Sequence, residues 1–253
     1  MTDLIIRPCN DIDARTRYVA DGPIDFETWL TRSLEADRTA PETELVRGVI
    51  IDKMAAQYPH EWIAAWLARI LGIYVEELQL GVVLGSRSAV QITTHDGRLP
   101  DLLFVRAANT RIIRNDAIYG TPDLVIEIIS ECDRPYNLVP LEADYRSIGV
   151  REIVFIDPKR RRVRLLRHRS AGLLPEGQSA PNGAGGEQPM IPSAEQYAAA
   201  AYDEFSLTEG RLEFTTVPGF HFDIAWLFAE DRPNALSVIK MLLDKAALSS
   251  DAP

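Results

Sequence analysis

Apolar positions along the chain follow two spacings, one near three to four residues and one near two. The first marks helices. With Asp25 as N-cap, Phe26, Trp29, Leu30 and Leu34 predict a helix, and after Pro59 a stronger stripe recurs at Trp62, Ile63, Trp66, Leu67, Ile70 and Leu71. A last helix is predicted within 234–248, where Ala235, Leu236, Val238, Ile239, Met241, Leu242 and Leu243 are apolar. Residues 44–54 read as a strand or hairpin arm, and 81–84, 89–92 and 101–106 as short strands with a turn at 95–97. The β-branched run at 123–130 predicts a central strand, followed by a helix around 141–147. Strands at 152–157 and 162–167 complete the sheet, and 210–222 holds a turn and strand pair. This order predicts a mixed α/β fold.

Of 253 residues, 46% are hydrophobic and 25% charged, enough for one substantial core. The main domain is expected at 24–230, after a weakly specified tail (1–23) and before a C-terminal helix and tail (231–253). Residues 170–201, rich in Gly, Ala, Ser, Pro and Glu, are expected to be a flexible insertion. The longest apolar candidate, 63–75, contains Arg69 and is shorter than the ~20 residues that span a bilayer, so no membrane contact is expected. The first residues carry acids and no long apolar stretch, unlike a secretory or transit signal, and a cytoplasmic location is expected. Cys9 and Cys132 have no paired spacing and read as free thiols. His60, His95, His168 and His221 are scattered, so spacing predicts no histidine metal cluster.

A net charge of −10 argues against loose adsorption to nucleic acid or anionic membranes but leaves room for a local basic groove. The basic run at 159–164, with Arg167 and Arg169, reads first as a solvated hairpin on an outer sheet edge and second as a tracker of phosphates.

Two acids interrupt apolar strands. Glu127 lies between Leu124, Val125, Ile126 and Ile128, Ile129, while Asp101 follows Pro100 and opens the strand Leu102 to Val105. Ionised carboxylates are costly to bury, so each requires a cation, a metal or a hydrogen-bond network. An arginine partner explains either acid alone. Two oxygen donors from adjacent strands suit Mg²⁺, which takes one or two protein carboxylates and keeps several waters.

Pro100-Asp101 and the later Glu127 resemble the PD-(D/E)XK nuclease motif. With them stand Glu44-Leu-Val-Arg-Gly48, His60 at a helix start, Thr121-Pro-Asp-Leu-Val-Ile-Glu-Ile-Ile-Ser130, Tyr145 with Gly149-Val-Arg-Glu152, Phe155-Ile-Asp-Pro158 and Val217-Pro-Gly-Phe220. Taken in this order, these segments resemble the Uma2 family of restriction-type endonucleases from about residue 24 to 230. The resemblance implies a restriction-endonuclease-like core (a mixed sheet flanked by helices), a Mg²⁺ or Mn²⁺ site at one end of it held by Asp101 and Glu127 with Glu44 as a further carboxylate, and DNA as substrate. A metal there would polarise a phosphodiester oxygen and acidify the attacking water.

The family lysine is not where the motif puts it. The E-x-K slot is Ile129, the alternative slot on the following helix is Leu141, and the accompanying aspartate position holds Asn137. Only Lys53, Lys159, Lys240 and Lys245 exist, so Arg134, Arg146 or Arg151 is the expected substitute cation. Arginine can offset phosphate charge but stays protonated and cannot act as a base. His60 is expected to meet backbone amides at its helix start. The alternative to a Mg²⁺-dependent endonuclease is a catalytically inactive nuclease-fold protein with a binding or structural role. A homodimer is the expected association, with the C-terminal stripe as one surface, although packing onto the chain's own core explains that stripe equally.

Overall fold

The structure, a computed structural model, describes residues 16–17, 22–36, 40–53, 57–114, 116–130, 135–169 and 202–250. Cys9, Cys132, Arg134, the predicted insertion 170–201 and most of the tail 1–23 lie outside the described residues.

The chain runs through β1 (Thr16–Arg17), α1 (Phe26–Glu35), β2 (Thr43–Val46), β3 (Val49–Asp52) and α2 (Tyr58–Glu77). Next come β4 (Gly81–Gly85), β5 (Ala89–Thr93), β6 (Asp96–Arg98), β7 (Leu102–Arg106), a 3₁₀ turn (Ala107–Ile112), β8 (Ile113–Arg114), β9 (Ala117–Ile118) and β10 (Leu124–Ile128). After α3 (Pro135–Ser147) follow β11 (Glu152–Asp157), β12 (Arg162–His168), β13 (Tyr202–Leu207), β14 (Arg211–Glu213) and β15 (His221–Asp223). Helices α4 (Ala225–Phe228) and α5 (Ala235–Ser250) end the described fold.

Two mixed sheets form where the hydrophobic pattern suggested one. Six strands lie in the order β13-β12-β11-β10-β7-β4, and seven in the order β1-β3-β2-β6-β5-β9-β8, with β14 and β15 as a separate pair. The consecutive strands β4 and β5 separate, because β4 pairs with β7 while β5 pairs with β6 and β9. Alternation marks a segment as extended but does not choose its neighbour. In the six-stranded sheet β10 is antiparallel to β7 and parallel to β11. Parallel strands need a crossover, and α3 supplies it.

The six-stranded sheet is covered on both sides, which explains why β10 and β11 are buried along their entire lengths. One face, including Phe104, Ile126, Ile128 and Val154, packs on Trp66, Leu67, Ile70 and Leu71 of α2 and on Val238, Ile239 and Leu242 of α5. The predicted C-terminal stripe therefore faces its own core, although Leu236 stays exposed. The opposite face, with Leu103, Val105, Val125 and Phe155, meets Tyr145 of α3 and Val90, Ile92 and Ile118 from the second sheet. Helix α1 begins as expected, Asp25 accepting a hydrogen bond from the Thr28 amide at 2.8 Å. Its Leu34, however, is exposed in the last turn, and Trp62 leaves the buried stripe of α2 to stack on Tyr58. Among the described residues no helix is long and apolar enough to cross a membrane.

The basic strand β12 is not the outer edge expected from its charges, because β13 pairs along it. Acids then neutralise it: Arg164 reaches Glu204 and Glu142, Arg167 reaches Glu152, and Arg169 reaches Asp203.

Between the second sheet and α1 the packing leaves no room at Gly97. A Cβ there would lie 2.7 Å from a Phe26 ring carbon and 2.8 Å from a Trp29 ring carbon. Gly97→Ala should therefore destabilise the fold by about 1–3 kcal/mol, the usual cost of overpacking. A lower urea midpoint with unchanged slope is the expected result.

Candidate active site

Asp101 and Glu127 are brought together by strand register. The antiparallel pairs Leu124↔Phe104, Val125↔Leu103 and Ile126↔Leu102, continued by one step, set Asp101 opposite Glu127. Directly opposed residues have Cβ atoms about 5 Å apart on the same face. That shared face is the one carrying Leu103 and Val125, toward α3 and the second sheet. Both acids are nearly buried, at 7% and 8% exposure. The Ile128 amide, just beyond the ladder, donates to Asp101 Oδ2 at 2.8 Å.

A lysine joins them from the second sheet. The hairpin β2–β3 turns through Arg47 and Gly48, both at positive φ (51° and 76°), which is the signature of a two-residue turn with left-handed central residues. This turn sets Glu44 opposite Ile51, and the ladder continues where the Lys53 amide donates to the Glu42 carbonyl at 2.7 Å. Because side chains alternate, Lys53 shares the face of Ile51 and Glu44. Its ammonium donates to the Leu99 carbonyl at 2.7 Å and lies 3.9 Å from Asp101 Oδ1. Burial works against this charge. The surrounding Glu44, Glu127 and Asp101 carboxylates outweigh it and raise the Lys53 pKa above its ordinary value, so the side chain stays a cation.

His60 and Tyr145 complete the immediate surroundings. At the start of α2, where Pro59 suits the first turn, His60 presents Nε2 to Asp101 Oδ2 at 3.0 Å rather than meeting backbone amides. Burial disfavours the imidazolium, but the Asp101 hydrogen bond and charge raise the His60 pKa overall. Asp101 is in turn held below the usual carboxylate range: burial opposes its ionisation, and His60, Lys53 and the Ile128 amide prevail. Glu127 moves the other way. Its burial, then the Asp101 charge, push it well above the usual range, even though Lys53 and the Tyr145 hydroxyl, donating to Oε1 at 2.5 Å, pull it down. Burial beside Glu127 also keeps the Tyr145 phenol protonated.

Glu44 stands one layer back. Its Oε2 accepts from Arg98 at 2.9 Å and its Oε1 from the Leu99 amide at 3.0 Å, so both oxygens are engaged. Arg98, 7% exposed at its side chain, also clamps Asp144 of α3, with Nη2 at 2.6 Å from Oδ2. Neither substitute arginine within the described residues is near the acids. Arg146 pairs with Glu142 and lies over the Tyr202 ring, while Arg151 pairs with Asp123 at 3.4 Å. Ile129 and Leu141, the empty lysine slots, pack into the apolar cluster around Tyr145. The cation beside the acids is Lys53, one residue beyond β3, which motif spacing on β10 and α3 misses. A sequence signal did exist, since a two-residue Arg-Gly turn puts residue 53 on the face of Glu44.

The donor set fits a hard divalent cation. Asp101 Oδ1 and Glu127 Oε2 accept no hydrogen bond among the described residues, and both belong to acids whose mutual repulsion a cation would relieve. Mg²⁺ suits such a pair because it keeps waters on its other positions. Among the described residues no group of three or more His, Cys, Asp or Glu side chains is arranged to hold a metal, in keeping with Glu44 being engaged by Arg98.

Arg98 holds two carboxylates from different elements in a largely buried position, and breaking such a pair leaves an uncompensated charge. Arg98→Ala should cost about 3–5 kcal/mol. Urea denaturation checks this against Arg87→Ala, which removes an exposed pair with Glu42 and should cost under ~1 kcal/mol.

Residues 25–200 match the Uma2 family, described as "Putative restriction endonuclease". A solved structure from Anabaena variabilis ATCC 29413, described as a putative nuclease belonging to DUF820, superposes with a TM-score of 0.58 at 18% identity, covering 81% of this chain and 98% of that one. At that identity the likeness speaks for the fold, a restriction-endonuclease-like core. No curated protein matches the chain significantly. With the match covering more than half of its length, the chain belongs to the Uma2 family.

Proposed function

We propose that this protein is a divalent-metal-dependent endonuclease that hydrolyses DNA phosphodiester bonds at Asp101 and Glu127. The observation that carries this reading is the Lys53 ammonium, 3.9 Å from Asp101 at the end of the acid pair. Without a cation the two acids would be a degenerate motif. With one, the side-chain set that metal-assisted phosphodiester hydrolysis needs is complete.

Asp101 and Glu127 would hold the cation, each being fixed by protein donors through one of its two oxygens. A bound Mg²⁺ or Mn²⁺ supplies Lewis acidity to a phosphate oxygen and lowers the pKa of water. Lys53 stays protonated, so it orients the attacking water and offsets charge growing on the phosphate, and does not remove the proton itself. In the reaction the water oxygen forms a bond to phosphorus and gives up one proton to solvent, the bond from phosphorus to a sugar oxygen breaks, and that sugar oxygen takes up a proton from solvent. His60 fixes Asp101 through Oδ2, and Tyr145 fixes Glu127 through Oε1. These anchors limit rotation of both carboxylates. Glu44 acts at longer range, keeping Lys53 charged while Arg98 holds it in place.

A second reading, a nuclease-fold protein without activity, is favoured by one observation: the described residues offer two carboxylates and no third metal ligand. Supercoiled plasmid separates the two. In Mg²⁺ or Mn²⁺ the wild type should nick it, EDTA should stop the reaction, and Asp101→Ala should leave plasmid intact. Lys53→Ala, with its fold checked by circular dichroism, should slow nicking about 10²-fold or more, the usual loss for one charge-stabilising group. Equal nicking by wild type and Asp101→Ala overturns the proposal.

A further inference from the structure

We propose that an aromatic and arginine-lined groove at the start of α2 seats an unpaired base of the DNA strand, an inference that rests on the nuclease reading above. The groove has a volume of about 450 Å³ and is lined by Tyr58, Trp62, Phe228, Arg161 and Arg232, among others. That volume lies within the ~300–1,000 Å³ typical of sites for small organic groups.

Its position ties it to the acid pair. Pro59 and Ile63 line the groove, and between them in sequence His60 bonds Asp101. Pro158, also in the lining, follows the last residue of β11, the parallel neighbour of β10, whose C-terminal end carries Glu127. Groove and acids therefore share one end of the six-stranded sheet, reached from the same helix start.

Its chemistry is that of a stacking platform. Tyr58 and Trp62 are one helical turn apart, and their rings stack at 5.6 Å with planes 27° apart. Both are exposed, at 72% and 44%, which is unusual for rings of this size beside an apolar core. Arg232 lies 5.7 Å over the Trp62 ring and donates to the carbonyls of Trp62, Trp226 and Leu227, so its guanidinium is locked in place without a carboxylate partner among the described residues. Arg161, at the tip of the β11–β12 hairpin with φ 48°, lies 5.8 Å over Phe228 and likewise has no carboxylate partner among the described residues. By contrast, Arg164 and Arg167 of β12, and Arg169 just after it, are paired with acids. Lys159 also lines the groove, and Glu230 is the one acid among its lining residues, so cations outnumber acids around the exposed stacked rings, which complements an anionic strand with flat bases. Sequence-tolerant strand binding uses this combination: rings stack on the bases while cations follow the phosphates.

Fluorescence anisotropy with a short fluorescein-labelled oligothymidylate in EDTA, which keeps the strand intact, tests the assignment. Trp62→Ala and Tyr58→Ala should each weaken binding about tenfold, and Trp62→Phe should stay within about twofold of wild type. Arg87→Ala, outside the groove lining and paired with Glu42, should bind as tightly as wild type, and the matching duplex should be insensitive to the ring variants. The groove is ruled out if Trp62→Ala and Tyr58→Ala bind the single strand like wild type, or weaken duplex binding equally. It is also ruled out if Arg161→Ala alone abolishes binding, which would mean phosphate contact without stacking. Plasmid nicking reads the other site separately. Ring-dependent binding without nicking would keep the groove and remove the hydrolase, whereas nicking without ring-dependent binding would do the reverse.

Discussion

Two carboxylates facing each other across adjacent strands, almost out of solvent, are the constraint around which this end of the molecule is built. A buried charge left unpaired costs several kcal/mol, and a second one opposite adds repulsion. The register of β7 and β10 forces that encounter on Asp101 and Glu127. Donors arrive from four separate directions: the Ile128 amide from the strand itself, His60 from α2, Tyr145 from α3, and Lys53 from the second sheet. The split in the two acids' proton affinities follows from how unequally these donors are shared. Asp101 receives three of them and Glu127 chiefly one.

The second sheet is what brings positive charge to the acid pair. Its hairpin turns so tightly that Glu44 and Lys53 emerge on one face, and Arg98 ties that face to α3 through Glu44 and Asp144. A phosphate needs an ammonium at a position in space, and any strand that delivers one there will serve. The side chains at the family's own lysine slots, Ile129 and Leu141, have become part of an apolar cluster, where an ammonium would lack partners. With Lys53 just beyond β3, apolar packing under Tyr145 and a positive charge beside the acids coexist.

Strand and helix positions were legible because they follow from local periodicity. Asp25 as N-cap, the stripe of α2, the fully buried β10 and β11, and the terminal helix are all visible in the spacing of apolar residues. Errors fell where partners matter. Trp62 has helical spacing yet stacks on Tyr58 in the open, and β12 looks like an exposed edge until β13 brings Asp203 and Glu204 alongside. Lys53 was passed over because motif spacing counts along one strand, whereas the ammonium reaches the acids across a gap between sheets.

The sequence by itself determined that two acids would lie in apolar strands, where burial makes an unaccompanied charge untenable, and so that something must compensate them. Which groups do so was decided only by the tertiary structure. The choice among Lys53, Arg146 and Arg151, and the diversion of Glu44 to Arg98, depend on which elements pack together, and hydrogen-bond and salt-bridge distances of about 3 Å are set by packing between segments far apart in the chain.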